Sequence, residues 1–128
     1  MNMKEIIIFL SNPNCGFCTV FDEQVKTNNV VHEFKQHNII FKKLSIDDDK
    51  QMDEYYNTYQ LPNAPHYPYI FYINIDGTDI KKYVIDDRKK IVNIDVDYIR
   101  SLSLPPNVIR FNQKYLKYKL KYLSMKLK

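Results

Sequence analysis

Ile6-Ile7-Ile8-Phe9-Leu10-Ser11-Asn12-Pro13-Asn14-Cys15-Gly16-Phe17-Cys18-Thr19-Val20-Phe21 is the stretch from which the chain is read. Its first five residues are apolar and mostly β-branched, the pattern of a buried strand. Ser-Asn-Pro-Asn ends the run with residues that favour a turn. Beyond it, apolar residues at Phe17, Val20, Phe21 and Val25 take the i, i+3, i+4, i+8 spacing of one helical face. The order strand, turn, Cys-x-x-Cys, helix puts Cys15 at a helix N-terminus, where unpaired N–H groups and the macrodipole favour an anion. A thiolate gains there relative to a thiol, so Cys15 is expected to be the more acidic and more nucleophilic cysteine. Cys18 lies one turn further in, faces inward and can attack a mixed disulfide formed on Cys15. These features predict a dithiol–disulfide exchange site.

Working outward, the helix after Cys15 is expected to run to about Thr27 and to break at Asn28-Asn29, with Val30, Val31 and Phe34 continuing an apolar face. Residues 39–46 read as a second strand. Asp47 or Asp48 can cap a helix reaching about Tyr59, with Met52, Tyr55, Tyr56 and Tyr59 on one side. The prolines of residues 61–68 mark a loop. Residues 69–75 form a strand, Asp76-Gly77 a tight hairpin turn, and residues 78–85 the return strand. Asp86-Asp87-Arg88-Lys89-Lys90 reads as a polar loop, and a short helix near 95–102 closes the domain. A helix between the first two strands requires a parallel, right-handed crossover. The fold class is therefore α/β: a mixed four-stranded sheet with helices on both faces, over residues 1–104.

Pro105-Pro106 separates this domain from a tail, residues 105–128. Apolar positions in the tail recur at helical spacing among lysines, so a basic Lys/Tyr/Leu-rich C-terminal helix is expected. The charge of the 128-residue chain is divided accordingly. Residues 1–99 hold 11 Lys/Arg and 15 Asp/Glu, a balance of −4, whereas residues 100–128 hold eight Lys/Arg and no acid, a balance of +8. Composition is ordinary for a globular protein. No stretch approaches the roughly 18–20 apolar residues of a membrane span, and the N-terminal apolar run is too short for a signal peptide. A cytoplasmic protein without membrane association is expected. In a reducing compartment two cysteines at this spacing point to catalysis or metal binding rather than to structure. Zinc needs two further ligands. No other cysteine exists, and His32/His37 is the one histidine pair at a suitable spacing, so no metal is expected.

The order of elements, with Asn14-Cys15-Gly16-Phe17-Cys18, Leu44-Ser45-Ile46-Asp47 and Pro68-Tyr69-Ile70-Phe71-Tyr72, resembles the thioredoxin-like superfamily over about residues 4–103. The chain begins at the active-site strand, as glutaredoxins do. The resemblance implies that Cys15 attacks, that Cys18 resolves, that Pro68 is the cis-proline against the pair, with Pro65 as the alternative, and that Lys43 matches a lysine beneath it. It implies a redox-active Cys15–Cys18 disulfide and no further cofactor. Cysteine-containing protein substrates and a redox partner follow, with the Tyr67 backbone before Pro68 placed to pair with an extended substrate segment. Several positions depart from the pattern. Phe9 stands where thioredoxins carry a buried acid, Asn14 where they carry tryptophan and Phe17 where they carry proline. The Thr-Val-Pro and Gly-Gly signatures of glutaredoxins are missing. Without the acid, deprotonation of Cys18 falls to solvent or to a substrate group.

The segment from Lys114 to Leu123 looks like the Lys/Tyr/Leu tails of giant DNA virus proteins, which suggests a virus-encoded protein packaged in a virion. The competing expectation is an interaction or virion component on the same fold, with the basic tail mediating assembly or homo-oligomerisation. Nucleic-acid binding is not expected, because no base-reading motif accompanies the charge.

Overall fold

The computed structural model describes residues 3–104. The C-terminal helix expected over residues 105–128 lies outside the described residues. The elements run β1 (Met3–Ser11), α1 (Gly16–Thr27), α2 (Val30–Gln36), β2 (Ile39–Ser45), α3 (Asp49–Asp53), a π-helical turn (Glu54–Thr58), β3 (Tyr69–Asp76), β4 (Asp79–Val84), α4 (Arg88–Val92) and α5 (Val96–Ser101). The sheet order is β2-β1-β3-β4, with β1 parallel to β2 and antiparallel to β3, and β3 antiparallel to β4. This is the mixed four-stranded sheet with helices on both faces expected from the sequence.

The run Ile6–Leu10 is apolar at every position because β1 is central and covered on both sides. Successive side chains of a strand point to opposite faces. Ile7 and Phe9 accordingly join Phe21 and Val25 of α1, Val30 and Phe34 of α2, Ile91 of α4 and Ile99 of α5. Ile6, Ile8 and Leu10 join Leu44, Tyr55, Tyr59 and Leu61 on the other face. At Asp76-Gly77 the hairpin turns with Gly77 at φ +61, a region open to glycine. The chain has only two glycines, and asparagine supplies the left-handed residue before α2, at Asn29, and before β2, at Asn38.

Two expectations are corrected. The helix after Asp48 does not continue regularly to Tyr59. After α3 the backbone widens, Tyr59 N–H donating to Glu54 C=O at 3.3 Å, five residues back. Tyr55 and Tyr59 are buried and Tyr56 is left exposed. The stretch 86–90 is not simply a polar loop. Asp87 caps α4, its carboxylate accepting from Lys89 N–H at 3.0 Å, and Ile91 anchors that helix in the core. Charged residues fill the cap and first turn, so the apolar pair Ile91-Val92 was too short to reveal a helical period.

Candidate dithiol site

The site is built by the sheet register. Leu10 of β1 pairs with Tyr69 of β3, so Pro68, immediately before β3, lands beside the turn that leaves β1. In that turn the Asn12 side chain accepts from Asn14 N–H at 3.0 Å and the Asn12 backbone carbonyl accepts from Cys15 N–H at 3.0 Å. The turn delivers Cys15 to the N-cap of α1. Its sulfur accepts from Cys18 N–H at 3.3 Å, the role a serine or aspartate oxygen plays at other helix starts. The Tyr67–Pro68 peptide is cis, and the Cys15 thiol donates to the Tyr67 carbonyl at 3.5 Å. Cys15, Cys18, Tyr67 and Pro68 are thus brought together. Pro65 is exposed and its preceding peptide is not cis.

The two sulfurs sit in opposed environments. Cys15 is half-buried and Cys18 is 2% exposed; both are free thiols. A hydrogen bond from the Cys18 thiol draws the Cys15 thiol below its ordinary value against partial desolvation, helped by the N–H groups of Cys18 and Phe17 and by the Arg88 charge. Burial pushes the Cys18 thiol up. Phe9, wholly buried and edge-on to Phe21 at 4.8 Å between ring centroids, fills the space beside Cys18 with hydrocarbon. The opposing polar influences come from the Asn12 backbone and, more weakly, from the hydroxyl of Ser11, 6% exposed at the end of β1. Ser11 shares the face of Phe9, two residues on, and so points to the α1 side.

Lys43 does not reach the sulfurs. Its ammonium pairs with Asp22 of α1 at 3.2 Å, and Asp22 also takes Lys26 at 3.2 Å. Partial burial pushes the Asp22 carboxyl up, but these two lysines hold it below its usual value, which leaves it a poor proton acceptor. His66 is exposed and stacks edge-on with Tyr69 at 5.3 Å. Among the described residues no group of histidine, cysteine and carboxylate side chains is arranged to hold a metal. No helix among them is long and apolar enough to cross a membrane.

One part of the sequence reading of α1 is revised. Phe21 and Val25 enter the core with Cys18, but Phe17 and Val20 are 68% and 58% exposed. The Arg88 guanidinium lies over the Phe17 ring, 5.7 Å from its centroid. Arg88 and Ser11 are the site residues that sequence reasoning missed. Ser11 shared the parity of Phe9 and was legible on that ground; Arg88 lay in the stretch read as a loop.

No family model and no curated protein matches the sequence. Solved structures do match. A thioredoxin from Trichomonas vaginalis aligns at TM-score 0.50 and 16% identity, over 73% of this chain and 78% of that one. A Thermus thermophilus thioredoxin aligns at TM-score 0.53 and 11% identity, over 79% and 75%. The first two thioredoxin domains of Naumovozyma dairenensis Eps1p align at TM-score 0.53 and 19% identity; 83% of this chain is covered but 37% of that one. Identities this low speak to architecture, and together with the sheet order and the helices on both faces they establish that the chain has a thioredoxin-like fold.

Proposed function

We propose that the protein is a thiol–disulfide oxidoreductase acting on cysteine-containing proteins. The observation that carries this reading is the polarisation of the pair: a half-exposed Cys15 drawn to the thiolate at a helix start, and a buried Cys18 one turn further in held as the thiol. In the reducing direction the Cys15 thiolate attacks one sulfur of a substrate disulfide. A mixed disulfide forms, and the other substrate sulfur leaves with the electron pair and takes a proton. Cys18 then loses its proton and attacks the Cys15 sulfur. The substrate's second sulfur departs as a thiol, and the dithiol ends as the Cys15–Cys18 disulfide. Loss of the Cys15 proton frees the Tyr67 carbonyl to accept from a substrate backbone N–H. The same steps reversed oxidise a substrate, and the redox partner decides the direction.

The test is reduction of insulin with dithiothreitol as electron source. The protein is expected to accelerate precipitation of the insulin B chain, and a rate equal to the protein-free background overturns the reading.

A further inference from the structure

The face of α1 beside Cys15 is apolar, exposed and overlooked by cations. Phe17 and Val20 line a groove of about 270 Å³ against α4, together with Arg88, Lys89 and Val92. A second recess of about 170 Å³ adjoins it through Phe17 and Arg88 and reaches Tyr67 and Pro68. Each is smaller than the roughly 300–1,000 Å³ that encloses a small-molecule ligand, and both are open, a shape that fits side chains of an extended segment. The charges are uneven. The groove between α1 and α4 has two cations and no carboxylate along its walls. Asp86 lines only the recess on the Pro68 side, and the Asp87 carboxylate is engaged in capping α4. Neither Arg88 nor Lys89 forms an ion pair among the described residues, whereas Lys90, next in sequence, is paired with Asp95 at 3.3 Å.

We propose that the Phe17–Val20 face of α1 and the Arg88–Lys89 edge of α4 form the docking groove for an acidic, extended segment of a protein substrate, a carboxylate flanking its reactive cysteine pairing with Arg88. The proposal rests on the oxidoreductase reading above and names the substrate class of that site. Arg88 spans both recesses, so a chain laid along Tyr67 and Pro68 with its cysteine at Cys15 passes within reach of the guanidinium. The phenyl face orients the guanidinium, and stacking leaves its N–H edge free for a planar carboxylate. The basic tail is a poor occupant, since residues 105–128 carry lysine and arginine and no acid.

The experiment is single-turnover reaction of the reduced full-length protein with cysteine peptides activated as neutral 2-thiopyridyl disulfides. Glutamate, glutamine or lysine flanks the cysteine on each side in turn. The Cys15 thiolate attacks the peptide sulfur and releases 2-thiopyridine, which is followed by its absorbance; Cys18 then displaces the peptide thiol. The glutamate peptide is expected to react about threefold to fivefold faster than the glutamine peptide, as for a partly exposed ion pair, and lysine slower. Added salt should compress the difference. Arg88→Gln should bring the glutamate-to-glutamine ratio towards one, and Arg88→Glu should invert it. Any change in Cys15 reactivity cancels in that ratio. A ratio of one in the wild type overturns the proposal without touching the oxidoreductase reading, because the glutamine peptide still reports exchange. A preference that survives Arg88→Gln with Lys89→Gln assigns it to the general field of the basic tail and overturns the groove. A preference lost as protein concentration rises, with a dimer on sizing, gives the groove to a second copy and also overturns it. Reaction with none of the peptides removes the oxidoreductase reading and this proposal together.

Discussion

The two faces of the sheet are equally well buried and differ in how they treat polar groups. On the α3 face, buried aromatics carry hydroxyls with partners. Tyr55 donates to the Pro62 carbonyl at 2.9 Å, Tyr59 to Glu54 at 3.4 Å, and Glu54 pairs with Lys42. On the α1 face Phe9, Phe21, Phe34 and Phe41 pack ring against ring beneath the dithiol. Ser11 is the one buried residue among those described whose side chain is polar and not aromatic, and by strand parity it faces α1 as Phe9 does. The α3 face fastens a loop to the sheet. The α1 face withholds solvation from one sulfur and leaves the other at a helix start, which creates the difference between two chemically identical thiols.

The largest effect expected of any change on the α1 face is that of Cys15→Ser. Insulin reduction should fall to background while the melting curve stays near that of the reduced wild type, because serine caps a helix well. Cys18→Ser should instead accumulate mixed disulfides on Cys15, seen by non-reducing electrophoresis. Loss of turnover in the Cys18 variant together with retention in the Cys15 variant would reverse the two roles.

Next in size comes packing. Phe9→Ala removes a wholly buried ring from beside Cys18 and should cost about 3–5 kcal/mol, read from urea unfolding. The cavity admits water near the sulfur, so the Cys18 thiol should titrate lower than in the wild type. Tyr55→Phe on the opposite face leaves the Pro62 carbonyl without its donor and should cost about 0.5–1.5 kcal/mol. It should leave both thiol titrations unchanged. A shift of the thiols in Tyr55→Phe would break the separation of the faces.

A smaller effect concerns the coupling of the sulfurs. The strongest influence holding Cys15 below the ordinary thiol value of 9.0 is the hydrogen bond from Cys18. The rate of iodoacetamide alkylation at Cys15 should therefore rise with pH to a midpoint below 9.0 and then level off as the thiolate saturates. In Cys18→Ala no side-chain donor remains and the midpoint should move upward, towards 9.0. An unmoved midpoint would assign the shift to the helix start alone.

These contrasts were unequally visible in the sequence. Ile6–Leu10 and Cys15-x-x-Cys18 were legible because a strand covered on both faces is apolar at every position, and because a strand–turn–helix order admits one place for the first cysteine. The α3 face was half-legible. The tyrosines at 55 and 59 have helical spacing, but the π-helical turn that aims them depends on tertiary packing. The exposure of Phe17 and Val20 was hidden, since periodicity identifies an apolar stripe without showing how much of it neighbouring helices cover. Lys43 stands in register with Phe9, and its ion pair went unread because the acid, Asp22, belongs to this chain's own α1.

The finest test of the comparison is Ser11, whose hydroxyl is the weaker of the two polar influences that oppose burial at Cys18. Its hydrogen bond favours the Cys18 thiolate, opposing the burial that favours the thiol. Removing the hydroxyl leaves burial opposed by the Asn12 backbone alone, so the Cys18 value should rise and the thiolate fraction at a given pH should fall. The measurement is cleanest where Cys15 cannot contribute: Cys15→Ser alone against Cys15→Ser with Ser11→Ala, following alkylation of Cys18 against pH. The midpoint should move upward in the double variant, with the plateau rate at high pH little changed because the nucleophile is the same thiolate. Ser11→Thr, which keeps the hydroxyl, should restore the lower midpoint. If the midpoint stays in place, or if Thr fails where the protein remains folded, the hydroxyl does not act on Cys18 and the Asn12 backbone alone opposes burial there.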